Sequence, residues 1–199
     1  MEDWNRTIFA TINASADPDA MLVATAVAIA SYAVFAVPLV LGVLWLWGRP
    51  TRRGGLVVTL TAAVMALACN QLIALVWFHP RPFALRIGRT LIPHANDSSF
   101  PSDHVTVLVA TGLGLWLWAR YRSAALVLLI LAVPVAWSRV FLGVHFPLDV
   151  VGAVATACTG QVFATPSRAW IDRTVMPRLV EPIYRTALSL PIERGWVRP

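Results

Sequence analysis

The sequence predicts an all-α protein that is embedded in a membrane as a bundle of five or six helices. Hydrophobic residues make up 58% of its 199 residues and charged residues only 13%, whereas about a quarter of the residues in an ordinary soluble domain are charged. Several apolar runs are also long enough to cross a hydrocarbon core of about 30 Å, which takes roughly 17 to 25 helical residues.

The apolar runs lie at 20–47, 55–78, 104–120, 124–144 and 147–165. Each must be helical, because lipid offers the backbone no hydrogen-bond partner. The first run is longer than one crossing needs, so we expect it to be tilted, or bent near Pro38 with a short interfacial helix before it. This gives five spans, or six if the first run divides. We find no repeat or linker in the sequence, which predicts a single membrane-embedded domain over residues 1–199.

The arginines predict the orientation of the bundle. All sixteen basic residues are arginine, and many of them lie in the connections at 48–54 and 119–123 and in the tail after residue 165. With five spans these three segments share one face, which the positive-inside rule assigns to the cytoplasm. The opposite face receives the N-terminal segment, the 79–103 connection and the turn around His145. The net charge of +6 therefore reflects orientation in a membrane, and we expect no nucleic-acid partner.

Two predicted helix starts on the extracytoplasmic face indicate an anion site. Pro101 can occupy the first turn of one span, with Ser99 or Ser102 near its cap, and Pro147 can open the last span. Each feature alone is also explained as ordinary helix capping. Two helix N-termini beside arginines, however, offer N–H groups and positive dipole ends to an anion. Arg81 and Arg139 add planar guanidinium groups suited to phosphate oxygens, so the predicted ligand is a phosphate.

His104 and His145 lie at these two helix starts, where we expect a solvated environment. An imidazole can attack phosphorus or protonate a leaving oxygen, so one histidine can act as the nucleophile and the other as the acid. Asp149, four residues after His145, can reach back across one helical turn to hold the correct tautomer. We interpret His79 as an interfacial residue. The spacing of the histidines and carboxylates fits neither a zinc site nor a two-metal site.

Three motifs carry a resemblance to a known family. They are Arg81-Pro82, then the run Pro101-Ser102-Asp103-His104, then Ser138-Arg139 followed by His145 and Asp149. Together they resemble the signature of the type 2 phosphatidic acid phosphatase (PAP2) superfamily. The stretches VWFHPRPF and LIPHANDSSFPSDH resemble more narrowly the bacterial undecaprenyl-diphosphatases of the bacitracin-resistance (BcrC) type.

The resemblance implies a PAP2-like fold and a lipid phosphatase that needs no cofactor or metal. His145 would form a phosphohistidine and Asp149 would orient it, while His104 would protonate the departing lipid phosphate. Four further residues would hold the phosphoryl oxygens: Arg81, Ser102, Asp103 through its backbone N–H, and Arg139. The implied substrate is a lipid diphosphate, undecaprenyl diphosphate, whose hydrolysis recycles the carrier lipid of cell-wall synthesis.

The sequence departs from the broad family at two positions. Ala74 stands where the family has a lysine, and Asp103 replaces the glycine of the middle motif. Both departures resemble the undecaprenyl-diphosphatase branch. Because the lysine is missing, we expect Arg86 and Arg89, together with His94, to contact the second phosphate of a diphosphate.

Other functions remain open at this point. The substrate could instead be phosphatidylglycerol phosphate, phosphatidate or another polyprenyl phosphate, because a lipid tail leaves little for the sequence to specify. A different class of function is a non-catalytic transporter that binds lipid headgroups. Binding alone does not require both histidines and Asp149, which favours the enzyme. The sequence does not specify the oligomeric state.

Overall fold

The computed structural model describes residues 2–199, and the described residues form helices and turns without a strand. The helices in the first half of the chain are α1 (Glu2–Ile12), α2 (Ala20–Tyr32), α3 (Ala36–Trp47) and α4 (Arg53–Val76). Those in the second half are α5 (Asp103–Gly114), α6 (Arg122–Phe141), α7 (Pro147–Ala164), α8 (Ser167–Trp170), α9 (Glu181–Ala187) and α10 (Ser189–Glu193). The all-α prediction is confirmed.

The described helices account for the five apolar runs. Four helical segments are long and apolar enough to cross a membrane: Ala20–Trp47, Pro50–Val76, Arg122–Phe141 and Pro147–Ala164. The fifth run forms a shorter apolar helix, Asp103–Ala119, which consists of α5 and one π-helical turn. Its length is at the lower end of what a membrane crossing requires. The protein is therefore a multi-pass membrane protein.

The α-helix of the first span is interrupted near Pro38, where the sequence predicts a bend as the alternative to a tilted helix. A 3₁₀ turn at Ala33–Phe35 separates α2 from α3. Pro38 lies just beyond this turn and has no N–H with which to bond the carbonyl of Val34, so the α-helical ladder cannot continue unbroken. The helix α1 precedes this span and lies outside the apolar run, where the sequence predicts no helix.

The centre of the bundle consists of α4, α5 and α7, with α6 packed against α5. Small residues allow the backbones to approach closely. A Cβ atom added at Gly160 of α7 would lie 2.3 Å from the carbonyl oxygen of Ala62 in α4. One added at Gly114 of α5 would lie 2.6 Å from the Thr59 side chain. This close packing holds the C-terminal halves of α5 and α7 against α4.

Contacts between loops group the connections into two faces. On one face the Nδ2 atom of Asn13 donates to the carbonyl oxygens of Arg89 at 2.9 Å and Phe141 at 3.0 Å. This face, which we call the site face, therefore carries the N-terminal segment, the 77–102 connection and the 142–146 turn. These are the three segments that the five-span topology predicts for the side opposite the arginine-rich loops.

The arginine-rich loops meet on the other face. The Tyr121 hydroxyl accepts from the backbone N–H of Arg49 at 2.7 Å, which joins the 48–52 and 120–121 connections. The chain terminus returns to the same face, where the N–H of Arg198 donates to the carbonyl of Leu46 at 2.9 Å. The guanidinium of the buried Arg53 also donates to the Arg198 carbonyl, at 2.8 Å.

Candidate active site

A cavity of about 210 Å³ opens on the site face between the ends of α4, α5 and α6. The 77–102 connection and the 142–146 turn supply the rest of its wall. Its lining residues are Asn70, Gln71, Ala74, Arg81, His94, Asp97, Ser98, Phe100, Pro101, Asp103, His104, Arg139 and His145. The three motifs, which span about 70 residues of sequence, therefore converge on one cavity, and both predicted histidines line it.

Asp149 fixes the orientation of the His145 ring. Pro147 begins α7 and places Asp149 in its first turn, as the sequence predicts. The Oδ2 atom of Asp149 lies 3.1 Å from Nδ1 of His145 and accepts the backbone N–H of Phe146 at 2.7 Å. The hydroxyl of Ser99 donates to the same oxygen. An acceptor at Nδ1 places the ring proton there, which leaves the lone pair of Nε2 directed away from Asp149.

The electrostatic environment keeps His145 neutral. Its side chain lies in the turn between α6 and α7, but the residue is only 2% exposed. The solvated environment expected from its position at a helix start is therefore wrong, because Asp149 draws the ring inward. Burial lowers the pKa of the imidazole to about 4, although the hydrogen bond and charge of Asp149 raise it. At neutral pH the ring is unprotonated, and Nε2 can act as a nucleophile or as a hydrogen-bond acceptor.

Arg81 anchors the 77–102 connection beneath the cavity. Its Nη1 atom donates to the carbonyl of Val144 at 2.8 Å and lies 3.2 Å from Nε2 of His145. Its Nη2 atom donates to the carbonyl of Ser98 at 3.2 Å, and its Nε atom donates to Oδ1 of Asp97 at 2.8 Å. Arg81 therefore lies directly beside the nitrogen of His145 that would attack phosphorus.

Arg139 reaches the cavity from the last turn of α6. Its Nη2 atom lies 2.9 Å from Nε2 of His94, which accepts because the Nδ1 proton of His94 is directed to the carbonyl of Ala95 at 3.1 Å. Burial, together with the charges of Arg81 and Arg139, lowers the pKa of His94 and keeps this ring neutral. The Nε atom of Arg139 has no hydrogen-bond partner among the described residues.

The middle motif forms the start of α5. The helix begins at Asp103 and Ser102 is its N-cap residue, so Pro101 precedes the helix and does not lie in its first turn. The Ser102 hydroxyl is buried and makes no hydrogen bond to the described residues. The first N–H groups of α5 are thus left without a side-chain cap. The carboxylate of Asp103 instead accepts from the amides of Asn70 at 2.7 Å and Gln71 at 3.3 Å.

Arg86 and Arg89 do not line the cavity, so the structure does not place them where the second phosphate was expected to meet them. Both residues are exposed. The segment that carries them is tied to the N-terminal part of the chain, because the N–H of Arg89 donates to Oδ1 of Asn13 at 2.7 Å and its carbonyl accepts from the same side chain. Among the described lining residues, Arg81 and Arg139 are the arginines.

Three residues that contact the motifs were not singled out in the sequence, and a fourth, Ser99, was considered only as a helix cap. Asn70 and Gln71 hold Asp103, Asp97 holds Arg81, and Ser99 holds Asp149. Asn70 and Gln71 could have been found as adjacent polar amides within an apolar run, since such groups need partners in a membrane. Asp97 and Ser99 carry no comparable signal, because polar residues are ordinary in a loop.

Residues 55–173 match the PAP2 superfamily, a range that contains all three motifs. The chain belongs to this superfamily. It is 37% identical to the YbjG protein of Escherichia coli (strain K12) over 100% of this chain and 99% of that protein. It is 36% identical to undecaprenyl-diphosphatase BcrC of Bacillus subtilis (strain 168) over 96% of this chain and 100% of that protein.

A solved structure supports the PAP2 fold. Aquifex aeolicus LpxE superimposes with a TM-score of 0.65 over 83% of this chain and 98% of that chain. The two sequences are 20% identical, so this likeness concerns the fold alone. The PAP2-like bundle predicted from the motifs is confirmed, and the protein is a membrane enzyme of the PAP2 phosphatase family.

Proposed function

We propose that this protein hydrolyses undecaprenyl diphosphate to undecaprenyl phosphate and phosphate, and so recycles the lipid carrier of cell-wall synthesis. The observation that carries the chemistry is the geometry of His145. Its Nδ1 atom is held 3.1 Å from Asp149, and its neutral ring presents Nε2 beside Arg81 in a cavity of phosphate-binding size. The substrate is supported by the full-length similarity to a protein named undecaprenyl-diphosphatase BcrC.

The first chemical step forms a bond between Nε2 of His145 and the terminal phosphorus. The bond between that phosphorus and the bridging oxygen breaks, and undecaprenyl phosphate leaves with the electron pair. His104, which lines the same cavity, donates a proton to the leaving oxygen. Asp149 stabilises the positive charge that develops on His145 as its nitrogen becomes bonded to phosphorus.

The second step hydrolyses the phosphohistidine. Having lost its proton, His104 can accept one from a water molecule, which attacks phosphorus and releases His145 and inorganic phosphate. Arg81 and Arg139 neutralise the equatorial oxygens in both transition states. Two further donors are the hydroxyl of Ser102, which has no partner among the described residues, and the backbone N–H of Asp103 at the first position of α5.

An apolar groove beside the cavity supports a substrate with a long hydrocarbon tail. Its volume is about 490 Å³. The residues that line it come from one face each of α5, α6 and α7: Val105, Val109, Leu113, Leu129, Ala132, Val133, Ala136, Val150, Val154 and Cys158. On α6 the groove residue Ala136 lies one helical turn from the cavity residue Arg139, on the same face of the helix. A tail in this groove would therefore leave its headgroup at the cavity.

Purified protein in detergent should release one phosphate from each undecaprenyl or farnesyl diphosphate molecule, and should do so in excess chelator. No divalent ion is needed for this mechanism, because arginines neutralise the phosphoryl oxygens and an imidazole attacks. The measurement is phosphate release from a panel of substrates, each with and without chelator. The panel contains the two diphosphates together with undecaprenyl phosphate, phosphatidylglycerol phosphate and phosphatidate.

The panel separates the alternatives. Faster release from phosphatidate or phosphatidylglycerol phosphate than from either diphosphate would reject the proposed substrate while keeping the reaction. Loss of all turnover on chelation, with recovery only on addition of one metal, would reject the mechanism. Headgroup binding without turnover of any panel member would favour the transporter.

We further propose that the site face is extracytoplasmic in the bacterial plasma membrane. The arginine-rich loops meet on the opposite face, and such loops remain in the cytoplasm. Asn96 and Thr51 are exposed residues on the site face and the arginine-rich face, respectively. In a variant without Cys69 and Cys158, Asn96→Cys should react in intact cells with a membrane-impermeant maleimide, whereas Thr51→Cys should react only after permeabilisation. The reverse pattern would place the chemistry in the cytoplasm.

A further inference from the structure

Arg81 makes hydrogen bonds with almost all of its donors to other residues of the protein. A guanidinium has five N–H groups. Nε donates to Asp97, Nη1 contacts both Val144 and His145, and Nη2 donates to Ser98. These four contacts leave one N–H group, on Nη2. A phosphate that binds two adjacent N–H groups of Arg81 must therefore displace a present partner.

Asp97 is the partner that can leave most easily. Val144 and Ser98 contribute backbone carbonyls, which are fixed by the chain, and His145 is held by Asp149. The Asp97 side chain is 61% exposed, so its carboxylate can turn into water with its charge solvated. Its Oδ1 atom lies 2.8 Å from Nε, on the edge of the guanidinium formed by Nε and Nη2.

The charge of Asp97 also opposes an entering phosphate. Partial burial raises the pKa of this carboxyl group, but the hydrogen bond and charge of Arg81 lower it further, so that the net shift is downward. Asp97 is thus an anion at neutral pH. Arg139 differs, because its partner at the cavity is the neutral ring of His94. Among the described residues, Arg81 has an anionic partner at the cavity and Arg139 does not.

We propose that Asp97 is an internal competitor of phosphate: its carboxylate occupies Arg81 in the empty enzyme, moves out when a lipid diphosphate binds, and returns to help expel the product phosphate. This inference rests on the proposed function, because it requires a phosphoryl group in the cavity. A diphosphate can displace Asp97 with the help of its second phosphate and its tail. Free phosphate lacks both, so the same cost of displacing Asp97 leaves the product bound much more weakly than the substrate.

A purely structural role for Asp97 leads to the opposite expectation. If the carboxylate served only to position Arg81, its removal would leave the guanidinium less ordered and would weaken phosphate binding. If it competes, its removal frees the Nε–H group, so that two N–H groups are available with the one on Nη2, and it removes one negative charge; both changes strengthen phosphate binding. The sign of the change in phosphate affinity therefore distinguishes the two roles.

The test compares inhibition by inorganic phosphate and by vanadate in the wild-type protein and in Asp97→Ala, with farnesyl diphosphate as the substrate. We expect the inhibition constant for phosphate to fall by about two- to tenfold. This range corresponds to the loss of one exposed ion pair and of the repulsion between its carboxylate and the phosphate. Phosphate should also raise the melting temperature of the variant in detergent more than that of the wild type, a measurement that needs no turnover.

Asp17→Ala is the matched control, because Asp17 is an exposed acid on the same face and does not line the cavity. It should leave the inhibition constant unchanged. If Asp97→Ala does not fold, Asp97→Asn removes the charge while nearly keeping the shape of the side chain. It should also lower the inhibition constant for phosphate. An unchanged or increased inhibition constant in a folded variant would overturn the competitor role alone. A wild-type protein that neither turns over a phosphate substrate nor binds phosphate would overturn the proposed function and this inference together.

Discussion

His145→Asn is expected to reduce turnover of a lipid diphosphate by roughly 10⁴- to 10⁶-fold, the size of effect seen when an enzyme nucleophile is removed. Asparagine retains an N–H near the position of Nδ1, so it can still donate to Asp149, but it has no atom in the place of Nε2. The substitution therefore removes the attacking nitrogen while keeping the contact that orders the start of α7. Steady-state phosphate release and rapid-quench trapping of labelled phosphoenzyme, at alkaline pH because phosphohistidine is labile in acid, measure the loss.

His79→Asn is the matched control for this experiment. His79 is also largely buried on the site face, but it does not line the cavity. Its substitution should change turnover by less than about tenfold, as expected for a residue without a role in the transition state. Both variants should elute from gel filtration as the wild type does. Substantial turnover or a labelled phosphoenzyme in folded His145→Asn would identify a different nucleophile.

The membrane made most of the fold predictable. Each long apolar run had to become a helix, so five runs gave five helical segments, and the run predicted at 55–78 became Arg53–Val76. The interruption of the first span near Pro38 was foreseen as one of two alternatives, because a missing N–H is a local property. The return of the C-terminal tail to the arginine-rich face was not predictable, because it depends on contacts such as that between Arg198 and Leu46, which lie far apart in sequence.

The parts of the candidate site that depend on local geometry were predicted, and those that depend on the path of a loop were not. Asp149 and His145 are one helical turn apart, so their contact followed from spacing alone. Arg86 and Arg89 share a loop with Arg81, but contacts with the N-terminal segment hold them outside the cavity. The charge balance of the cavity was missed for the same reason, since nothing in the sequence placed Asp97 on Arg81.

His104→Gln is expected to slow steady-state turnover by roughly 10²–10⁴-fold, the usual contribution of an acid or base catalyst. The step that limits the variant should depend on the substrate. An alkyl monophosphate such as phosphatidate must expel an alkoxide, which needs a proton, so formation of the phosphohistidine should slow strongly. A lipid diphosphate expels a phosphate monoester whose second pKa is about 6, so this step should slow much less.

Hydrolysis of the phosphohistidine is common to both substrates and needs an activated water molecule. In His104→Gln this second step should therefore limit turnover of farnesyl diphosphate, and the phosphoenzyme should accumulate. Pre-steady-state measurement should then show a burst of farnesyl phosphate that approaches one equivalent of enzyme, followed by slow release of inorganic phosphate. With phosphatidate the burst should be absent, because the first step becomes limiting. If turnover of both substrates slowed equally and no burst appeared, His104 would neither protonate the leaving group nor activate water. The reason is that loss of either role alone would change the two chemical steps unequally.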